Sequence, residues 1–156
     1  MKVRDILFSW DMILSAIACG LIYFLFPSEV NNVFAKDIYG VGISILSIIF
    51  SVYFAALAVI ISSSEDEFVK FLKAKNFYDP LIGIFKWTLG ALFFSLLYSL
   101  IIYLITSNYI YLNKENQSIW LFDLFVFLCM YALISTGLSC KDALRYANYR
   151  SDYLNK

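Results

Sequence analysis

Residues 40–62 read GVGISILSIIFSVYFAALAVIIS, 23 positions without a charge. Small side chains recur along them at Gly40, Ser44, Ser47, Ser51, Ala55, Ala58 and Ser62, in steps of four, three, four, four, three and four. On a helix that spacing lays one narrow, partly hydroxylated stripe along a rod otherwise covered by Ile, Leu, Val, Phe and Tyr. At 1.5 Å per residue the rod is about 34 Å long, enough to cross a hydrocarbon core of about 30 Å. In lipid, a face of small residues lets helices approach closely. Serines on it hydrogen-bond to a neighbouring helix or back toward their own preceding turn. The stripe is therefore expected to meet protein or water rather than acyl chains.

The rest of the chain agrees with a membrane setting. Of 156 residues, 62% are hydrophobic and only 15% charged, more apolar surface than a soluble domain of this size has interior to bury. Four apolar segments follow one another with short polar joins. The expected fold is an all-α membrane protein, a single domain over residues 1–156 built as a four-transmembrane-helix bundle. Its spans are expected near 9–27, 40–62, 80–107 and 118–140, with a short cytoplasmic amphipathic helix near 65–76 and a helical C-terminal tail at 141–156.

Each join has its own signals. A basic start with Lys2 and Arg4 precedes the apolar run Met12 to Phe26, and Pro27 stops it. Ala16-Ile-Ala-Cys19 resembles a degenerate lipoprotein cleavage box, but Gly20 to Phe26 continues apolar instead of opening into a linker, which favours a retained first span. After the second span, Ser64 and Glu67 have the spacing of a capping box. Phe68, Phe71 and Leu72 then fall on one side of a short helix, expected to lie at the membrane surface with its phenylalanines inward. Asp79-Pro80 reads as cap and first position of the third span. That span repeats the small, hydroxylated spacing with Thr88, Ala91, Ser95, Ser99 and Thr106, and the two stripes are expected to face each other or to share one cavity.

Orientation follows from the basic residues. Lys2, Arg4, Lys70, Lys73, Lys75, Lys86, Lys141, Arg145, Arg150 and Lys156 fall on one side of this layout, and only Lys36 and Lys114 on the other. By the positive-inside rule both termini are cytoplasmic, as in a multi-pass protein of a bacterial inner membrane.

Three ionisable groups, Asp11, Lys86 and Asp123, fall in or just inside the spans, where charge is expensive enough to demand a partner. Asp11 and Lys86 approach the same surface and read as an ion pair or as two groups each reaching the interface. Asp123 lies about one and a half turns below the outer end of the fourth span. It reads either as a helix–helix hydrogen-bond anchor or as a cation site in an outer vestibule. On the cytoplasmic side, Arg145, Tyr146, Tyr149, Arg150 and Tyr153 interleave basic and aromatic residues near Lys70, Lys73 and Lys75. Such a face suits a partner protein or a nucleotide or oligonucleotide held by phosphate pairing and base stacking, or an interfacial collar on lipid head groups.

Catalytic motifs are missing, so no enzyme activity and no cofactor are expected. Histidine is absent, and Cys19, Cys129 and Cys140 have no metal-ligand spacing and read as small hydrophobes. Three functions fit: an oligomeric channel or membrane-permeabilising effector, a non-catalytic membrane anchor docking a cytoplasmic partner, and a small cation-coupled transporter. With both ends inside, a short amphipathic second loop and a basic tail, the layout resembles the small four-span membrane effectors of bacterial anti-phage defence operons. The resemblance implies a protein held silent or triggered through a cytoplasmic partner, and it transfers no site residue. The four-span small multidrug transporters are similar in span count only, since the glutamate of their first span has no counterpart between Met12 and Phe26.

Overall fold

A computed structural model describes residues 10–25, 28–62 and 66–154. Among the described residues five helices and two three-residue strands follow in order: α1 (Trp10–Leu25), β1 (Glu29–Asn31), α2 (Asn32–Ser62), α3 (Asp66–Ala74), α4 (Tyr78–Tyr111), β2 (Asn116–Ser118) and α5 (Ile119–Leu154). The chain is thus all-helical in character, and α2, α4 and α5 are each long and apolar enough to cross a membrane. The apolar α1 has 16 described residues, about 24 Å of helix and short of a full crossing. The expected basic start at Lys2 and Arg4, the stop at Pro27, the cap at Ser64 and the tail end at Lys156 lie outside the described residues.

The helices outrun the expected spans because their ends are set by local hydrogen bonds. Helix α2 begins at Asn32, not near residue 40, because Asn31 Oδ1 accepts from the backbone N–H of Val33 at 2.9 Å and of Phe34 at 3.3 Å. Helices α3 and α4 both stop on an asparagine in the left-handed region, Asn76 (φ 52°) and Asn113 (φ 56°). Around Asn76, the N–H of Phe77 donates to Leu72 O and that of Asn76 to Lys73 O; around Asn113, Lys114 and Asn113 bond Tyr109 O and Ile110 O in the same way. This paired closure satisfies carbonyls the last turn leaves open, and asparagine tolerates the required φ. Because the first closure delivers the chain directly into α4, no side chain caps that helix. Phe77 holds the cap position, and Asp79 and Pro80 follow within the first turn instead of serving as cap and first position. The proline still costs little there, since first-turn N–H groups have no intrahelical partner.

Short connections make successive long helices antiparallel. Helix α4 packs against both α2 and α5, and α1 lies against α5. The two joins at one end of the bundle, expected as plain loops, pair as an antiparallel ladder, Glu29 with Ser118, Val30 with Gln117 and Asn31 with Asn116. Side chains tie this ladder end further. Gln117 Nε2 donates to Tyr39 Oη at 2.8 Å, and Thr106 Oγ1 donates to Gln117 Oε1 at 3.0 Å, all three residues being buried. Beneath them Val30, Tyr39, Ile102, Phe122 and Phe125 form one apolar cluster, and a second, around Leu46, Leu57, Phe85 and Leu92, fills the other half.

Candidate functional site

The two hydroxylated stripes do not meet. The α4 stripe is inside the bundle: Thr88, Ser95, Ser99 and Thr106 are buried and Ala91 is half-buried. Thr88 Oγ1 lies 3.1 Å from Ser135 Oγ and 2.9 Å from Ser139 Oγ on α5, and Ser139 Oγ donates to Ser135 O at 2.8 Å. Ser95 Oγ points to Cys129 Sγ at 3.9 Å, and Ser99 Oγ donates to Ser95 O at 2.7 Å. This stripe is the seam along which α4 and α5 approach.

The α2 stripe lies on the outside of the same bundle. Ser44, Ser51, Ala55, Ala58 and Ser62 are exposed, and Gly40 and Ser47 are half-buried. Its hydroxyls are spent within its own helix: Ser44 on Gly40 O at 3.0 Å, Ser47 on Ser44 O at 3.0 Å and Ser51 on Ser47 O at 2.9 Å. The correction has a geometric cause. Leu46, Tyr53, Leu57 and Ile60 form the buried row of α2, and at about 100° per residue the stripe sits roughly 150° around the helix from that row. Bulk and burial thus turned the large residues of α2 toward α4, leaving the small ones outside. At the ladder end of the stripe, Lys36, Asp37, Gly40, Ser44 and Tyr103 line an open hollow of about 450 Å³, with Lys36 Nζ 5.5 Å from the Tyr103 ring centre.

Helices α2 and α5 meet at Gly42, against Phe125, and again where the Tyr146 hydroxyl donates to Ile60 O at 3.5 Å, and two successive apolar hollows lie along their seam. One, of about 210 Å³, runs past Ile45 and Met130, and the other, of about 310 Å³, past Val52, Ala56 and Cys140.

The charges expected within the spans separate into different roles. Asp11 and Lys86 form no ion pair: the one salt bridge among the described residues is Arg145 to Asp142, 3.5 Å apart on the tail. Lys86 is exposed, whereas Asp11 is buried against α5, where Ser15 Oγ donates to its backbone carbonyl at 2.6 Å. Asp123 is buried at 5% exposure, and its Oδ1 has no hydrogen-bond partner among the described residues. The helix–helix anchor reading of Asp123 thus lacks a bond at that oxygen.

The expected cytoplasmic face is also rearranged. Phe68 and Leu72 of α3 are buried, not against lipid but under the α5 tail. The Phe68 ring sits edge-on to Tyr146 at 5.7 Å and beside Tyr153 at 5.3 Å, and Phe71 lies 5.7 Å from Tyr153. Tyr149 packs edge-on to Phe77 at 5.0 Å. These tyrosines are consumed in clamping α3 to the tail, so Tyr146, 6% exposed, offers no open ring to a base. Lys70, Lys73, Lys75, Arg145 and Arg150 remain exposed around the clamp.

Three features escaped sequence reading: the Tyr39–Gln117–Thr106 chain, the asparagine stops, and the Ser135/Ser139 partners of Thr88. Only the last had a visible signal, two serines four apart on the fourth apolar segment. No family model, curated protein or solved structure matches the chain.

Proposed function

We propose that the chain is a non-catalytic, four-span protein of a bacterial inner membrane with both termini cytoplasmic. In this reading it joins copies of itself through the α2 stripe into a channel-like or membrane-permeabilising assembly. The exposed stripe is the observation that supports it. A lone chain gains nothing from presenting small residues to acyl chains, whereas a second α2 can approach closely there. The three–four spacing is also that of a helix–helix seam. Several copies are needed, since side chains fill the interior of one. The charged hollow at Lys36, Asp37 and Ser44 then stands at the mouth of the assembly.

Control comes from the cytoplasmic face, where a partner protein or a nucleotide meets the exposed lysines and arginines around the α3 clamp. The resemblance to anti-phage effectors supplies the setting, a protein kept silent until that contact changes. In liposomes the purified protein is expected to dissipate an ion gradient, and Ser51→Leu, which thickens the stripe without entering the core, is expected to reduce both flux and cross-linked oligomer. Liposomes that stay tight at high protein load overturn the channel reading.

One observation favours a second reading. The α3–tail clamp builds a rigid platform ringed by Lys70, Lys73, Lys75, Arg145 and Arg150, as a membrane anchor docking an acidic cytoplasmic partner would need. Arg145→Ala with Arg150→Ala is expected to weaken such docking in a salt-dependent way while leaving flux unchanged.

A further inference from the structure

The charged hollow at the β1–β2 end and the first apolar hollow between α2 and α5 adjoin across a single pair of side chains. Val41 and Ile45 line both. On one side of them lies the hollow of about 450 Å³ with Lys36, Asp37 and Tyr103, and on the other the hollow of about 210 Å³ with Val126, Met130 and Leu133. Four residues apart, Val41 and Ile45 share one face of α2 and form a low ridge there. Both are exposed, so the passage over the ridge from the polar side to the apolar side is open.

The polar side carries two opposite charges that are not spent on each other. Lys36 and Asp37 project about 100° apart on the helix. Neither belongs to the one salt bridge among the described residues, which is Arg145 to Asp142. Lys36 Nζ stands instead 5.5 Å from the Tyr103 ring centre, and that ring leans on Gly40, where an added Cβ would lie 3.7 Å from Cε2. A ligand that complements this hollow brings an anion for Lys36 and a cation for Asp37. The Tyr103 ring is already engaged by an ammonium of the chain, which leaves it no face for a quaternary ammonium. A primary ammonium, by contrast, donates hydrogen bonds that a carboxylate accepts.

The apolar side suits a hydrocarbon chain. Ile38 and Ile45 form one wall, and Val126, Met130 and Leu133, at successive turns of one face of α5, form the other. Gly42 and Phe125 close the floor. Half of a hydrocarbon core of about 30 Å corresponds to about ten residues of helix. Counted from Val41 that depth ends at Ser51, so a chain one leaflet long fills this hollow and stops where the next begins, beside Ile48 and Val52.

We propose that the two joined hollows bind one zwitterionic phospholipid of the ethanolamine type. Its phosphate sits on Lys36, its primary ammonium on Asp37, and one acyl chain crosses Val41 and Ile45 into the seam of α2 with α5. The proposal rests on the membrane-spanning part of the reading above and not on self-association. The acyl chain lies on the α5 side of α2, which leaves Ser51, Ala55 and Ala58 open to a second copy.

Fractionation comes first: a full-length chain that stays in solution without detergent would refute the membrane setting and the site with it. The test itself is native mass spectrometry of the full chain in detergent micelles, offered dioleoyl phosphatidylethanolamine, phosphatidylcholine and phosphatidylglycerol at equal concentration. One phosphatidylethanolamine is expected to be held about fivefold more tightly than either competitor. Asp37→Lys should reverse the preference toward phosphatidylglycerol, and Lys36→Ala should weaken all three. Ile45→Trp fills the passage without touching a charge and should also release the lipid. Phosphatidylethanolamine with a diazirine in its acyl chain should label the peptide that contains Met130. Should a variant fail to fold, the wild-type ranking and the labelled peptide decide alone. Equal retention of the three lipids, a tighter hold on phosphatidylglycerol, label confined to α1 or α4, or a dimer that shuts the lipid out of the seam would each overturn the proposal. None of these readouts measures flux, so a failure here is distinct from a failure of the channel reading.

Discussion

A Cβ added at Gly42 would lie 2.6 Å from Cζ and 3.0 Å from Cε2 of Phe125, closer than van der Waals contact allows. The absence of that one carbon lets α2 and α5 touch at the β1–β2 end. The Phe125 ring has little room to yield, being packed edge-on to Tyr39 at 4.6 Å and beside Phe122 at 6.4 Å.

Gly42→Ala is therefore expected to destabilise the protein although alanine is the better helix former. The propensity gain is up to about 1 kcal/mol and overpacking costs about 1–3 kcal/mol, so packing wins. Gly90, where an added Cβ meets nothing within 4 Å, serves as control, and Gly90→Ala should be neutral or stabilising. Denaturant unfolding in micelles checks the pair, and equal effects at both positions would refute the close-contact account.

Gln117→Leu should cost about 1–3 kcal/mol, because it strands the buried Tyr39 hydroxyl and Thr106 without their partner. Asn116→Ala, which removes only an exposed bond to Glu29, should stay within about 0.5 kcal/mol. The same unfolding assay separates a buried tie from a surface one.

The two stripes should respond differently to loss of a hydroxyl. Thr88→Val removes the group shared with Ser135 and Ser139 and is expected to cost about 1–2 kcal/mol. Ser47→Ala removes a hydroxyl bonded only to its own helix and should change monomer stability by less than about 0.5 kcal/mol. A large loss at Ser47 would place that face inside the folded chain.

Phe68→Ala empties the centre of the clamp between α3 and the tail, a truncation that costs about 3–5 kcal/mol in a full core. Because α3 rests mainly on the tail and the foot of α4, the loss should appear locally. Hydrogen exchange should quicken in residues 66–74 while α4 keeps its protection. Breaking the exposed Arg145–Asp142 pair with Arg145→Ala should leave exchange unchanged, since such i,i+3 surface pairs contribute about 0–0.5 kcal/mol.

Composition and period determined the helical, membrane-compatible character of this chain, because a run such as residues 40–62 can bury its apolar side chains against lipid only with its backbone bonds closed internally. The same periodicity placed Phe68 and Leu72 on one side of α3 and Thr88, Ser95 and Ser99 on one side of α4. Which neighbour each face meets was decided by the tertiary structure. The α2 and α4 stripes look alike in sequence, yet one is sealed against Ser135 and Ser139 and the other is left outside, because partner choice depends on size complementarity between helices far apart in the chain. For the same reason Asp123 looked like any carboxylate in an apolar run until the fold set Cys19 beside it and left Oδ1 unbonded among the described residues.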